Sequence, residues 1–279
     1  MEPAASDIIF EGPRFDEPDL DRLSATIKRV SGITLPAHRR SMVASRLGRR
    51  LRDLRMGSLS EYLPLLDDAT GDEMASMLDA IVTNKTEFFR EPDHFAHLRD
   101  TVITPIGRKG PVRMLSAGCS SGEEPFSAAM CAREALAEQG ERVRIDAIDL
   151  SRIKLAQAKR GVFMDAAKAR VGRERLFRFF LKGTGSSSGL VKVHPEVAKL
   201  VAFRNHNLML PLPFGHRFHA IFCCNVAIYF DQATQESLFA RLYESLEPGG
   251  WLYLGLAESL IHIKSSFLAV GPSLYRRAE

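Results

Sequence analysis

Apolar residues recur every three or four positions through the first part of the chain. Leu20, Leu23, Ile27 and Val30 form one series, and Val43, Leu47, Leu51 and Leu54 form another within Ser41–Arg55. That period puts each series on one side of a helix. Shorter helices are predicted over 60–66 and 72–82, with Ser58 and Thr70 as local start signals. No alternating pattern interrupts 14–80, so the segment reads as a small all-α domain.

Past Pro111 the period changes. Val112–Ala117, Val143–Asp149, His219–Cys224 and Gly250–Gly255 are short apolar runs of strand type. Helical stretches over 123–139, 151–160 and 232–246 separate them. Strands alternating with helices imply a Rossmann-like, doubly wound α/β domain on a parallel sheet. Phe267–Arg276 adds a predicted closing hairpin. Between the two halves, 161–206 breaks the rhythm. Gly183–Gly189 is a Gly/Ser turn flanked by Leu176–Leu181 and Leu190–His194, and a further strand-like run, Lys199–Phe203, follows. We read a small inserted antiparallel β-subdomain over about 174–204. The domain boundaries expected are 14–88 and 89–279.

Composition narrows the class. With 45% hydrophobic and 26% charged residues, the chain has the balance of a soluble protein that buries a core. No apolar run nears the roughly 20 residues that span a bilayer. The acidic N-terminus lacks the basic and then apolar pattern of a secretory signal. Cys119, Cys131, Cys223 and Cys224 make no CxxC pair, and no Cys/His group has zinc-ligand spacing. Reduced thiols, a cytoplasmic location and no metal are expected. The net charge of +4, from 38 basic and 34 acidic residues, is too small for a dedicated nucleic-acid binder. It hides a local excess. Residues 36–56 hold seven arginines (39, 40, 46, 49, 50, 52 and 55) against one acid, Asp53. The rest of the chain is therefore slightly acidic.

The first chemical signal is a strand, a glycine turn and a helix. Ser116–Gly122 follows the strand Val112–Ala117 and opens the helix at Glu123. Glycines there let backbone approach a ligand at the C-terminal end of the sheet. The pattern is neither GxGxxG nor a P-loop. Glu123 and Glu124 suit the helix dipole, but they would repel a pyrophosphate. A ligand with a cationic part fits better. Asp149 ends the second strand, where an acid accepts hydrogen bonds from ribose hydroxyls. Together these signals point to an adenosine ligand without phosphates, with S-adenosylmethionine the obvious cationic candidate.

Several blocks carry a resemblance over about 15–275: Arg46–Arg52, Thr83-Asn-Lys-Thr-Glu-Phe-Phe-Arg-Glu91, Ser116-Ala-Gly-Cys-Ser-Ser-Gly-Glu-Glu-Pro-Phe-Ser127, Asn207-Leu208, Cys223-Cys-Asn-Val-Ala-Ile-Tyr-Phe-Asp231 and Pro248–Gly250. The sequence resembles the CheR-type chemotaxis receptor methyltransferases. The resemblance implies a class I methyltransferase sheet with an N-terminal helical docking domain. It implies methyl transfer from S-adenosylmethionine to receptor glutamates, with S-adenosylhomocysteine as product. It also implies roles for particular residues. Asn84, Thr86, Arg90, Glu124, Asp149, Asn207, Leu208, Cys224 and Asn225 fall at cofactor positions. Arg90 and Tyr229 fall beside the transferred methyl and the acceptor carboxylate. The Arg39–Arg55 patch would dock on the receptor's acidic methylation helices, and the β-subdomain would add the receptor's C-terminal pentapeptide as an edge strand. Neither nucleic acid nor membrane insertion is implied.

The sequence departs from the family at Cys224, where arginine is usual, and at Leu256, where histidine is frequent. A cysteine supplies neither the charge nor the fork of donors. The alternative reading is therefore a weakened or inactive module that binds S-adenosylmethionine or S-adenosylhomocysteine. A small-molecule methyltransferase is disfavoured, because a small acceptor needs no basic helical domain.

Overall fold

The computed structural model describes residues 12–67, 71–82, 85–164 and 170–279. The chain divides into two compact units, Met1–Val82 and Thr83–Glu279.

The first unit is helical. α1 (Glu17–Ser31) buries Leu20, Leu23 and Ile27 and stops at Gly32, whose φ of 74° is the left-handed conformation of a helix C-cap. Val30, in the same series, is only half-buried. α2 (Arg40–Asp53) buries Val43, Leu47 and Leu51, while Leu54 lies past its end and is 37% exposed. α3 (Leu59–Tyr62) starts at Ser58, whose hydroxyl accepts the Glu61 amide. It lasts one turn and continues as a 3-10 turn, Leu63–Leu66, because Pro64 has no N–H for the α ladder. α4 (Asp72–Ile81) starts after Gly71. Thr70, expected as its start signal, lies outside the described residues.

The arginine patch is partly consumed by this packing. Arg40 pairs with Glu17 and Asp21 of α1. Arg50 pairs with Glu73 of α4, which also accepts the Tyr62 hydroxyl. Arg46 donates to the Ile81 carbonyl at 2.8 Å. These three arginines tie helices together, and Arg49, Arg52 and Arg55 are left on the exposed side.

In the second unit, α5 (Pro92–His97) runs through a π turn into α6 (Thr104–Gly107). There follow β1 (Val112–Ala117), α7 (Glu123–Leu136), β2 (Val143–Asp149), α8 (Arg152–Arg160), β3 (Val162–Met164), α9 (Arg173–Phe179), β4 (Phe180–Lys182), β5 (Leu190–Val193), α10 (Pro195–Ala198) and β6 (Val201–Asn205). β7 (Phe218–Cys223), α11 (Gln232–Ser245), β8 (Leu246–Leu254), β9 (Leu268–Gly271) and β10 (Leu274–Arg276) complete it. The main sheet has the order β6-β2-β1-β7-β8-β10-β9. Its first five strands are parallel, and β10 and β9 return as the antiparallel hairpin.

Both faces of the sheet are covered, which is why its strands are apolar almost throughout. Phe126 and Met130 of α7 pack with Met114, Ile145 and Phe222 on one face. Leu238, Phe239 and Leu242 of α11 pack with Leu115, Ile148, Ile221 and Leu252 on the other. The order reverses between β1 and β7. The crevice at the C-terminal ends of those strands is where such sheets bind ligands.

The inserted β-subdomain is real, but its limits move. It is a three-stranded antiparallel sheet, β3-β5-β4. Leu176 belongs to helix α9 rather than to an extended run, and only Phe180–Lys182 is strand. Val162–Met164 is a strand the sequence did not reveal. It is three residues long, too short for a period to register. Val201–Asn205 lies beyond the insertion, because β6 pairs with β2 at the edge of the main sheet. The helix expected to reach Gln139 stops at Leu136, where Ala137 takes φ 50°.

Candidate cofactor and active site

The turn after β1 is shaped by three positive φ values: Gly118 at 92°, Ser120 at 48° and Gly122 at 97°. A Cβ on Gly118 would overlap the Val226 side chain, and one on Gly122 would sit 3.1 Å from both Ala158 and Phe126. The glycines are therefore demanded by sterics as well as by φ. Asp149, at the end of β2, braces this turn. Its Oδ2 accepts the Ser120 amide at 2.7 Å and its Oδ1 accepts the Ser151 amide at 2.8 Å.

Glu123 and Glu124 begin α7 but do more than face the dipole. The Ser116 hydroxyl donates to Glu124 at 2.6 Å and the Ser121 hydroxyl to Glu123 at 2.7 Å. Burial pushes the Glu124 carboxyl up to about 7 and raises Glu123 as well. Two half-buried acids at the turn form a place that a cation would stabilise.

The loop after β7 holds Cys224, Asn225 and, on a 3-10 turn (Ala227–Tyr229), Tyr229. Cys224 is half-buried, and its Sγ lies 3.6 Å from the Tyr253 carbonyl. Burial, with Glu124 and Glu91 beside it, pushes the thiol well above its usual range. Asn225 adopts φ 61°. Its Oδ1 is buried and has no hydrogen-bond partner. A Cβ on Gly255 would collide with the Asn225 amide group, so the glycine after β8 makes room for it.

Glu258 holds this loop, and sequence reasoning missed it. Glu258 is 7% exposed, and its carboxylate accepts five backbone amides: Val226, Ala227 and Ile228 on Oε1, and Asn225 and Gly255 on Oε2, at 2.6–3.3 Å. Burial pushes the carboxyl up against the pull of those amides. Glu91 and His94 were also missed as site residues. Glu91 Oε1 accepts the Leu256 amide at 3.0 Å, and Oε2 lies 3.1 Å from His94 Nδ1. The only available signal was their position in and just after the Thr83–Glu91 block.

The remaining expected residues are less concentrated. Asn84 lies outside the described residues. Thr86 is half-buried. Arg90 is exposed and donates to the Lys85 carbonyl at 3.1 Å. It does not pair with Glu87, which is bound by Arg170 at 2.6 Å. Phe88 and Phe89 are core residues. Phe88 meets Phe163 and Phe180 edge to face, and Phe89, at φ 49°, donates its amide to Ser127 at 3.0 Å. Asn207 and Leu208 follow β6. Asn207 Oδ1 accepts the Met209 amide at 3.0 Å, and the Leu208 carbonyl accepts Arg241 at 2.6 Å.

The donor set fits a cationic nucleoside. Asn225 Oδ1 is a buried acceptor that lacks a donor, a costly arrangement unless a ligand completes it. Acids at the Gly118–Gly122 turn suit a positive group.

Residues 18–82 match the family described as "CheR methyltransferase, all-alpha domain", and residues 84–275 match "CheR methyltransferase, SAM binding domain". The chain is 37% identical over 261 residues to chemotaxis protein methyltransferase 2 of Pseudomonas aeruginosa, covering 93% of each. It is 37% identical over 260 residues to the Escherichia coli chemotaxis protein methyltransferase, covering 91% of this chain and 88% of that protein. Among solved structures, the glycopeptide N-methyltransferase MtfA complexed with sinefungin matches at 21% identity and a TM-score of 0.38, over 66% of this chain and 59% of that one. The reversal point of a doubly wound sheet, its acid-lined glycine turn and these matches along nearly the whole chain show that it belongs to the CheR methyltransferase family.

Proposed function

We propose that this protein methylates glutamate side chains of chemotaxis receptors in the cytoplasm, using S-adenosylmethionine. The observation that carries the reading is the buried, unpartnered Asn225 Oδ1. It sits at the end of β7 in a loop whose Val226 packs on Gly118 of the acid-lined turn.

Bound S-adenosylmethionine supplies an electrophilic methyl group on a sulfonium. In this reading Asp149, together with Asn207 and Leu208, holds the adenosine end. Glu124, Asn225 and the segment carrying Asn84, Thr86 and Arg90 hold the methionine end, with Cys224 beside Glu124. The acceptor carboxylate is already a nucleophile at neutral pH, so no strong base is required. What the chain must do is align that carboxylate and exclude water. Tyr229 orients it through its hydroxyl, and Arg90 offers a fork of donors to a carboxylate. Transfer of tritiated methyl to receptor-containing membranes, in a base-labile form, is the expected result. Binding of S-adenosylhomocysteine without any transfer would overturn it in favour of a non-catalytic binding module.

Cys224 is the specific observation behind that second reading. Cys224→Arg should raise the transfer rate. One charged hydrogen bond is worth roughly 1.5–3 kcal/mol, or about 10- to 150-fold. A variant no faster than wild type would show that Cys224 is no deficit.

Receptor docking falls to Arg49, Arg52 and Arg55, the exposed arginines of α2 and its C-terminal end. Reversing all three to Glu should raise KM for receptor at least about tenfold and leave kcat unchanged, since exposed charges act mainly on encounter. An unchanged KM would remove the patch from docking. The β-subdomain's two edge strands, β3 and β4, are candidates for pairing with a receptor C-terminal pentapeptide. Calorimetry with that peptide should show stoichiometric binding.

A further inference from the structure

We propose that Glu91, His94 and Cys224 form a binding site for a thiophilic divalent cation of the zinc class. A carboxylate oxygen, a ring nitrogen and the thiol sulfur, one from each residue, all lie within 4.8 Å of one another. His94 Nδ1 and Glu91 Oε2 are 3.1 Å apart. Ligands about 2.0 Å from a tetrahedral zinc sit ~3.3 Å from each other, so this pair is already near ligand spacing. The His94 side chain is 7% exposed, and its Nδ1 has no hydrogen-bond partner of acceptable geometry. Its close contact is the Glu91 carboxylate itself, a fellow member of the set, so an ion between the two would bind both.

The supports around the three residues are those of a ligand set. Glu91 precedes α5 and His94 is in its first turn, while Cys224 follows β7. The Leu256 amide holds Glu91 Oε1, which turns Oε2 toward the ring. The His94 ring packs edge-on against Tyr253 at 5.4 Å, which fixes its plane. Outer contacts of this kind orient metal ligands. When its sulfur turns toward the pair, Cys224 gives up its 3.6 Å contact with the Tyr253 carbonyl and its hydrogen bond to Glu124. The thiol proton leaves to solvent on coordination.

Charge and donor chemistry select the ion. Glu124 lies against both Cys224 and Glu91. Among the described residues the one buried lysine or arginine is Arg133, and it pairs with Glu196. A divalent cation would offset the Glu91 and Glu124 carboxylates beyond what Arg90 supplies to Glu91. A mixed oxygen, nitrogen and sulfur set suits zinc and excludes magnesium and calcium, which take oxygen ligands. A water completes the fourth position.

The test uses the purified, metal-free full-length protein and does not depend on methyl transfer. Zinc is titrated against a chromophoric chelator, and cobalt(II) binding is followed by absorbance. One equivalent per chain and a thiolate-to-cobalt charge-transfer band are expected. Cys224→Ser should abolish the band, and His94→Gln should weaken zinc binding by more than about tenfold. Substoichiometric binding, a band that survives Cys224→Ser, or an unchanged affinity in His94→Gln would overturn the site. Should either variant fail to fold, X-ray absorption on the wild-type zinc complex decides. One sulfur at about 2.3 Å supports the site, and a shell of nitrogen and oxygen alone refutes it.

Discussion

Glu258→Gln will lower the melting temperature by on the order of 10 °C and remove most S-adenosylhomocysteine binding. The carboxylate accepts five amides with two oxygens. Glutamine keeps one acceptor oxygen and turns an NH2 toward N–H groups that need acceptors. At least two buried amides are then left without a partner, at about 1–3 kcal/mol each. A cost of about 2–6 kcal/mol is a large part of the stability of an ordinary domain. For a domain of this size each kcal/mol moves the melting temperature by about 2–4 °C. The binding loss has the same origin, because at least one freed amide lies within Asn225–Ile228, the loop that presents Asn225 and Tyr229. Glu258→Asp, one methylene short, should fall between the two. Wild-type melting and wild-type binding in Glu258→Gln would show that the loop holds itself.

Asp149→Asn will weaken S-adenosylhomocysteine binding roughly 10- to 150-fold for each charged hydrogen bond lost, at about 1.5–3 kcal/mol apiece. In the free protein, Asp149 accepts the Ser120 and Ser151 amides, one on each oxygen. Asparagine keeps one of those bonds and opposes the other. Melting will therefore fall along with affinity, and affinity alone cannot separate bracing of the turn from contact with ribose. An analogue lacking both ribose hydroxyls separates them. If Asp149 also holds the ribose, removing the hydroxyls costs much less in the variant than in wild type. Equal costs in the two proteins would leave Asp149 as a brace alone.

How far the sequence carried the site depends on how local each part is. The strand Val112–Ala117, its glycine turn and the two acids of α7 are contiguous, and their chemistry was legible as a run. The same holds for Cys224 and Asn225 at the end of a buried apolar strand. Glu258 was not legible, because its five partners lie 3 to 33 positions away along the chain. Nothing in a run such as Gly255-Leu-Ala-Glu258 says that its carboxylate turns back under a neighbouring loop. The arginine patch erred the other way. Seven like charges in 36–56 read as one surface, yet Arg40, Arg46 and Arg50 are spent on partners from α1 and α4.

By itself the sequence determined the class of the fold and the ligand chemistry, because periodicity, turn glycines and paired acids act within a few residues of one another. It also named the family, through motifs that are contiguous. The tertiary structure alone decided which charges are free, where the β-subdomain begins and ends, and that positions 91, 94 and 224 meet. Those outcomes depend on strand order and on side chains from distant elements filling one buried volume. Spacing along the chain carries no record of that, since burial selects partners by distance in space.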